Sequence, residues 1–486
     1  MNDLLKKNGI MGNAIWKLAE TFSSKLMFFI VSIVLARLLS PDDYGAVTMI
    51  TVFITVANVF VVSGIPTALV QKRDADEKDF SSVFFFNLAL SLVLYIILFL
   101  VAPRIADFYK TPILKATLRV LGLSVIIAAL NSVLSAYISK QMMFKLYFWS
   151  NLIGIIFSGI IGIGMAYVGY GVWALVFQTV INMAVATFVL FFTIKWHPIL
   201  YFSWNRLKLL LNFGWKILFE GLSETLSNEL SNFVIGKVYT PSNLGFYSKG
   251  NQISGLVANC LSSPLNSVLF PAICLEQDDT ERVKELLRKA VKVSTYITFP
   301  LLTGLAVVAE PLVRILLTDK WMETVPYLRI FCLTYMASCF IIPRHQALNG
   351  IGRSDVYMYE HMIARAIRIG TLFCVYRISV LAIAIGGIVS SGLMVLTVMY
   401  TSKRYNGYGY CEQIMDVLPV VGACVCMGVS VYFIGMLPLT DLPMLVLQVV
   451  VGGIVYIGVG WFFKISGFII LENYLFAIFY QCNIKK

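Results

Sequence analysis

Residues 361–370 read HMIARAIRIG and include three possible cations among apolar side chains. His361, Arg365 and Arg368 are spaced by four and three residues, so a helix would carry them within about 60° of one another. A guanidinium group presents paired N–H donors that match the oxygens of a phosphate. This basic stripe therefore predicts a binding site for an anion that carries phosphate or carboxylate.

An earlier stretch combines acids and lysines in the same way. Lys17 and Glu20 share a helical face with Asn13 and Ser24, and Lys25 lies beside that face. An ionised group at mid-bilayer depth costs about 2.5 to 3.5 kcal/mol on insertion scales, so it needs a partner or water. We expect Lys17 and Lys25 to contribute to the anion site and Glu20 to exchange a coupling ion, either H⁺ or Na⁺.

A third stretch repeats this pattern two hundred residues later. Lys216, Glu220 and Glu224 share one helical face. We expect Lys216 to join the anion site and both glutamates to serve ion coupling. The alternative is that Lys17 with Glu20, and Lys216 with Glu220, merely neutralise each other within one helix.

Simpler roles are also open for the basic stripe. His361 could pair with its neighbour Glu360, and the two arginines could be neutralised by glutamates of another helix, such as Glu220 or Glu224. Glu229 lies in the same segment as those glutamates, and the sequence assigns it no role.

The composition indicates that these residues lie in a membrane protein. The 486 residues are 59% hydrophobic and only 13% charged, with a mean hydropathy of +0.81. A soluble globular protein has a more polar composition. A helix needs about 20 apolar residues to cross roughly 30 Å of hydrocarbon. Windows of that length predict 14 transmembrane helices, at approximately 13–39, 44–70, 80–102, 114–138, 147–168, 171–194, 213–238, 248–273, 291–317, 324–342, 357–376, 379–400, 415–436 and 443–463.

The predicted fold class is all-α integral membrane, because such long apolar runs exclude the alternating pattern of barrel strands. The first run is too long for a cleaved signal and is expected to remain as a helix. Residues 465–482 form a shorter apolar stretch that is predicted to be an interfacial tail. Lys and Arg are more numerous in the loops on the side of the amino terminus, which predicts that both termini are cytoplasmic.

The sequence also contains a duplication. Segment 36–45, ARLLSPDDYG, matches segment 236–245, GKVYTPSNLG, and Glu20 falls on Glu220. Each copy follows the first helix of its half with a Pro turn and a Gly. Six spans separate the copies, so both halves should insert the same way up, as parallel lobes around a central cavity. We expect an N-terminal six-helix lobe at 1–200, a C-terminal six-helix lobe at 201–402, and two additional helices with the interfacial tail at 403–486.

Other kinds of chemistry find little support. The net charge of +12 is spread over many loops, which suits anionic lipid headgroups and argues against nucleic acid as a partner. The nine cysteines form no CxxC pair, and the three histidines are scattered, so no metal site is expected. The GxxxxGK[ST] motif is absent, which argues against direct use of ATP. We predict no cofactor, no catalytic residue and no enzymatic activity.

Three motifs resemble those of a known family. LARLLSPDDYGAVTMI at 35–50, GYGVWALV at 169–176 and TPSNLGFYSKG at 240–250 are similar to the polysaccharide-transport branch of the multidrug/oligosaccharidyl-lipid/polysaccharide exporter superfamily, and within it to Wzx-type flippases. The resemblance covers nearly the whole chain.

This resemblance implies two six-helix lobes in a V-shaped arrangement that work by alternating access. It further implies an undecaprenyl-diphosphate-linked oligosaccharide as cargo, a location in the bacterial inner membrane, and the polysaccharide polymerase and export machinery as possible partners. In such exporters a cationic cavity holds the diphosphate. That role is carried over to Lys17, Lys25, Arg365 and Arg368, which lie on matching helices.

Two other functions fit part of the pattern. A cation-coupled multidrug antiporter of the same superfamily would share the duplication, but it typically has 12 spans and does not need two mid-membrane arginines. A membrane polymerase or ligase for glycans would need acids, bases or nucleophiles at an aqueous face. The longest loop predicted on the outer side, 103–115, is short for that purpose.

Overall fold

The protein is all-helical, as predicted. The computed structural model describes residues 2–72 and 74–472, and it describes their side chains except at 2–15, 17–19 and 261–268. All regular secondary structure in this described part is helical. The α-helices are α1 (Asn2–Leu38), α2 (Pro41–Val62), α3 (Ile65–Gln71), α4 (Glu77–Tyr109), α5 (Ile113–Leu121), α6 (Leu123–Gln141), α7 (Phe144–Tyr167), α8 (Val172–Thr193), α9 (Trp204–Val238), α10 (Pro241–Leu275), α11 (Thr280–Val307), α12 (Ala309–Leu317), α13 (Thr324–Met336), α14 (Ser338–Gly350), α15 (Ser354–Val375), α16 (Val380–Asn406), α17 (Tyr410–Ile434) and α18 (Asp441–Phe462).

Every predicted span coincides with helix, but some spans are broken into two helices. The span at 44–70 is divided into α2 and α3 at Gly64, whose φ of 82° lies in a region that glycine adopts at little cost. The break also needs the absence of a side chain, because a Cβ on Gly64 would lie 2.8 Å from the Gly214 carbonyl oxygen. Gly64 therefore both redirects the chain and lets α3 approach α9.

Within the described residues, 11 helical stretches are long and apolar enough to cross a membrane. This finding supports an integral membrane protein, while the count of 14 stays a prediction. Helices α9 and α15 are not among the 11, and these are the helices that carry Lys216, Glu220 and Glu224, and Arg365 and Arg368, respectively. The same charged residues that predicted a binding site also make these two helices less apolar than the helices that meet the criterion.

The two matching turns begin α2 and α10 in the same way. Ser40 caps α2, where its hydroxyl accepts from the Asp43 backbone N–H at 3.2 Å. Thr240 does the same for α10, accepting from the Asn243 N–H at 3.3 Å. In each helix a proline follows the cap as the first residue, where its missing N–H costs no hydrogen bond.

The same turns also pack against each other. A Cβ on Gly45 would lie 1.8 Å from the Pro241 carbonyl oxygen, and a Cβ on Gly245 would lie 2.1 Å from the Pro41 carbonyl oxygen. Each glycine thus admits the backbone of the other turn. Such a reciprocal contact is what two copies of one turn would make, so it supports the predicted duplication.

Contacts within the chain divide it into two compact units, Met1–Gly245 and Phe246–Lys486. In the first unit α1 packs along α7, and α9 packs on α2, α3 and α4. Helix α9 is therefore packed with the first unit, although the duplication makes it the first helix of the second half. The lobe boundaries at residues 200 and 402 stay predictions.

In the second unit the charged helix α15 packs on α14 and α16, and α17 packs on α11 and α18. The last two helices share a core with α11, where the Tyr456 hydroxyl donates to the Tyr296 carbonyl at 2.7 Å. The predicted interfacial tail at 465–482 extends beyond residue 472 and so lies largely outside the described residues.

Candidate functional site

Helix α15 carries the two arginines of the predicted anion site. It is one unbroken helix from Ser354 to Val375, so the spacing of the basic stripe holds. The Arg365 side chain is half-buried and the Arg368 side chain is exposed. Arg368 lies close enough to Tyr335 of α13 to interact with it electrostatically. The Tyr335 hydroxyl donates to Asn251 Oδ1 of α10 at 2.8 Å, so three helices of the second unit meet near Arg368.

Helix α9 carries the predicted residues of the third stretch. The Lys216 and Glu224 side chains are exposed, and Glu220 is half-buried. Glu229, to which the sequence assigned no role, accepts a hydrogen bond from Asn232 Nδ2 at 2.9 Å. Glu229 thus has a partner one turn away on its own helix, whereas exposure leaves Lys216 and Glu224 open to water or a ligand.

Helix α1 carries the most deeply buried of the predicted acids. Glu20 is 6% exposed and accepts from Asn151 Nδ2 of α7 at 2.9 Å and from the Thr21 hydroxyl at 3.3 Å. Lys25 is half-buried. The Lys17 side chain lies outside the described residues, and so does the predicted pair with Glu20.

The candidate residues are thus distributed over both units. Those on α1 and α9 belong to the first unit, and Arg365 and Arg368 belong to the second. Within the first unit Glu20 is packed against α7, whereas Glu220 lies on a helix packed against α2, α3 and α4. The two acids that the duplication relates therefore have different surroundings.

Sequence reasoning missed a buried acid that faces an imidazole. Glu360 of α15 has a side chain only 2% exposed, and its Oε2 lies 3.3 Å from Nε2 of His345 on α14, whose side chain is 12% exposed. The Thr401 hydroxyl of α16 donates to the other carboxylate oxygen. Three helices therefore converge on one carboxylate, at a place where an ion pair can form if the histidine is protonated.

Further groups surround this acid. The His345 ring lies 5.0 Å from the Tyr357 ring and 4.7 Å from the His361 ring, measured between centroids. Next to His345, the Arg344 guanidinium is buried, donates to Asn406 Oδ1 at 3.1 Å and is an electrostatic neighbour of Glu360. In the sequence, the only indication of this cluster was that Glu360 and His361 are adjacent. The imidazole that the carboxylate faces belongs to His345 on α14, fifteen residues earlier in the chain.

A second missed cluster lies in the first unit. Asp79 is fully buried, with Lys72 Nζ at 2.5 Å and an Arg206 guanidinium nitrogen at 3.2 Å. Asp76 caps α4 and binds Arg206 at 2.6 Å. Partial desolvation raises the pKa of Asp76, but hydrogen bonds from Arg206 and from the Asp79 backbone outweigh it and lower that pKa to about 2. Asp76 therefore stays ionised at neutral pH and helps to tie the starts of α4 and α9 together.

The first unit also contains a cavity of about 530 Å³ with neutral walls. Its polar side chains include Thr67 and Gln71 of α3 and Asn131, Ser135 and Ser139 of α6. The spacing of four residues in each set puts these groups on one helical face. Hydroxyl and amide groups can bind neutral polar ligands, but this lining offers no cation for a diphosphate.

Comparison with known proteins places the chain in a family and shows a known fold. A family model described as polysaccharide biosynthesis protein matches residues 34–326, which is more than half of the chain. This chain belongs to that family. The match includes the paired turns, α9 and the buried Asp79 cluster, and it ends before α15.

Curated relatives of this polysaccharide biosynthesis protein resemble it over most of their length. It is 24% identical to the succinoglycan biosynthesis transport protein ExoT of Rhizobium meliloti (strain 1021), over 75% of this chain and 74% of ExoT. It is 26% identical to the lipopolysaccharide biosynthesis protein WzxC of Escherichia coli (strain K12), over 66% of each chain. The predicted resemblance to Wzx-type proteins is confirmed.

Among solved structures, the fold is similar to that of the lipid II flippase MurJ in an inward closed conformation. The TM-score is 0.79, with 93% of this chain and 99% of the MurJ chain covered at 16% identity. At that identity the likeness shows the fold alone.

Proposed function

We propose that this chain is a flippase that moves an undecaprenyl-diphosphate-linked oligosaccharide across the bacterial inner membrane for export of a surface polysaccharide. The observation that carries the proposal is the basic stripe of Arg365 and Arg368 on a helix that lies within an integral membrane protein of a polysaccharide biosynthesis family. A mid-membrane cation suits cargo whose headgroup is anionic.

The related proteins support transport rather than enzymatic chemistry. ExoT is named as a transport protein, and MurJ, whose fold this chain resembles, is named as a flippase of a lipid-linked substrate. Both names concern movement of material and not synthesis of a bond. A flippase also uses the features found here, since it needs a cationic place for a headgroup and no nucleophile.

The diphosphate would be held by the predicted cations. Arginine can grip phosphate oxygens with two parallel N–H donors, and lysine adds a compact point charge. Four of the predicted cations have side chains that a ligand can reach. Arg368 and Lys216 are exposed, and Arg365 and Lys25 are half-buried. Lys17 completes the proposed set.

The proposed architecture follows from the duplication. Fourteen transmembrane helices would form two parallel six-helix lobes, at 1–200 and 201–402, with two further helices and an interfacial tail at 403–486. Both termini would be cytoplasmic, and the lobes would expose the cavity to one side of the membrane and then the other. A polysaccharide polymerase and the export machinery would then take the product.

Ion coupling is assigned to Glu20, Glu220 and Glu224. Glu20 is buried and its carboxylate is hydrogen-bonded, whereas Glu220 is half-buried and Glu224 is exposed. An acid that alternates between water and a closed environment changes its affinity for H⁺ or Na⁺. An ion gradient could thereby give the transport its direction.

Removing the basic stripe tests the substrate site. Arg365→Ala and Arg368→Ala should each lower translocation in proteoliposomes by about tenfold or more, because a charge-assisted hydrogen bond contributes about 1.5 to 3 kcal/mol. The cargo is the lipid-linked oligosaccharide purified from cells that lack this chain. Arg377→Ala, which removes an exposed arginine just after α15, is the matched control and should transport normally. Normal rates in both stripe variants would remove the diphosphate assignment.

Neutralising a helix acid tests the coupling. Glu220→Gln should make translocation in the same proteoliposomes less responsive to an imposed H⁺ or Na⁺ gradient, since an amide cannot carry the exchanged ion. Glu229→Gln is the matched control on the same helix, because that acid is paired with Asn232. An unchanged gradient response in Glu220→Gln would clear this residue of the coupling role.

A further inference from the structure

A buried acid and a histidine meet beside the basic stripe, and neither is used by the proposed diphosphate site. Glu360 Oε2 and His345 Nε2 are 3.3 Å apart, on the neighbouring helices α15 and α14. Thr401 donates to Glu360 Oε1, which leaves Oε2 to face the imidazole. The geometry brings a nitrogen that can bind a proton next to a carboxylate that can stabilise the resulting charge.

We propose that Glu360 and His345 form a proton-binding site whose occupancy sets how strongly the neighbouring arginines hold an anionic lipid headgroup. The site takes up one proton on the His345 imidazole, and the Glu360 carboxylate stabilises the resulting imidazolium. This inference rests on the proposed function for the anion and adds to it the identity of a bound ion and its place.

The surroundings favour a proton over a metal cation. Na⁺ and other hard cations need several oxygen ligands. Here one carboxylate oxygen is taken by a hydroxyl donor and the other faces a nitrogen. The pair therefore offers too few oxygens for a metal ion, whereas a single proton needs only the imidazole nitrogen and a nearby negative charge.

The helices packed around α14 and α15 contribute further polar and charged groups. Helix α14 supplies the buried Arg344 beside His345, and α15 supplies Tyr357 and His361, whose rings contact the His345 ring. From α16 come Thr401 and the Asn406 amide, which accepts from Arg344, and Tyr405, an electrostatic neighbour of Arg344. Helix α11 also packs on α14, where the Ser294 hydroxyl donates to the Cys339 carbonyl at 3.3 Å. Arg344 balances Glu360 when His345 is neutral, so protonation adds one net positive charge.

That added charge lies close to the stripe. Arg365 and Arg368 follow Glu360 by five and eight residues, so they lie roughly 7 and 12 Å farther along the helix axis. Over about 10 Å, and with a dielectric between that of a protein surface and that of water, one charge changes anion affinity about fourfold. Proton binding should therefore tighten anion binding, and by reciprocity a bound anion should favour the proton.

Binding of undecaprenyl diphosphate at two pH values tests this linkage. The full-length protein is placed in nanodiscs of neutral lipid, and its affinity is measured at about pH 5.5 and about pH 8. Towards the lower pH, the affinity of the unaltered protein should rise about fourfold more than the affinities of Glu360→Gln and His345→Gln. These two variants serve as the reference because the charge of the diphosphate probe changes with pH in the same way for every protein. His197→Gln, which removes an exposed histidine of the first unit, is the matched control and should behave as the unaltered protein. An equal pH response in all four proteins would overturn the proposal.

Proton uptake without any lipid separates this inference from the proposed function. Between the same two pH values the unaltered protein should take up more protons than His345→Gln, by an amount approaching one. Equal uptake by the unaltered protein and His345→Gln would overturn the proton site. Failure of all four proteins to bind undecaprenyl diphosphate would instead overturn the proposed function, and the uptake result would still decide the proton site.

Discussion

Asp79 and Glu360 are both buried carboxylates, but they have different partners. Asp79, in the first unit, is fully buried between Lys72 and Arg206. Glu360, in the second unit, has a side chain 2% exposed that faces His345 and accepts from Thr401. Lysine and arginine keep their charge throughout the physiological pH range, whereas histidine gains or loses a proton within it.

This difference separates a structural anchor, meaning an ion-pair cluster that only holds helices together, from a site whose charge can change. The charges around Asp79 are constant, so the cluster can hold the starts of α4 and α9 at any cellular pH. Asp416 in the second unit belongs to the same type, because Arg288 and Lys292 surround it. Glu360 differs from both, since its partner His345 carries a charge only when it is protonated. The type of partner, and not the burial of the acid, tells the two roles apart.

The largest expected effect comes from removing the anchor. Asp79→Asn removes the buried counter-charge of Lys72 and leaves Arg206 with Asp76 alone. Breaking a buried ion pair in this way costs about 3 kcal/mol or more. The purified protein should therefore unfold at a clearly lower temperature in detergent. Glu77→Gln, which neutralises an exposed acid in the first turn of the same helix, is the control and should melt like the unaltered protein. A melting temperature equal to that of the control would remove the anchor role from Asp79.

A smaller effect should follow when the second pair is made to resemble the first. His345→Arg gives Glu360 a partner whose charge is constant. At about pH 8, undecaprenyl diphosphate should then bind the variant about fourfold more tightly than it binds the unaltered protein. The measurement is the nanodisc binding described above. If the variant folds normally and keeps the full pH dependence, the comparison between Asp79 and Glu360 fails.

The helices and the charged faces could be predicted because each is a local property of the chain. A long apolar run can satisfy its backbone in lipid only as a helix, so every predicted span coincides with one or two helices. The stripe of Arg365 and Arg368 likewise depends only on helical spacing within α15. The likeness to polysaccharide exporters came from short motifs, two of which include the duplicated turns, and it too is local.

The pairs that distinguish anchor from proton site could not be predicted in this way. Glu360 lies beside His361 in sequence, yet its carboxylate faces His345 because α14 and α15 pack side by side. Asp79 and Arg206 are more than a hundred residues apart, and only the packing of α9 on α4 brings them together. Such contacts depend on tertiary structure, for which one sequence offers no periodic signal.

Mass spectrometry of lipid-linked sugars tests the central claim most directly. Cells of the strain of origin that lack this chain should accumulate undecaprenyl-diphosphate-linked oligosaccharide. The unaltered chain should clear that material, whereas a double variant with Arg365→Ala and Arg368→Ala, present in the membrane in equal amount, should not. Absence of any accumulated lipid-linked sugar, or clearance by the double variant equal to that of the unaltered chain, would contradict the account.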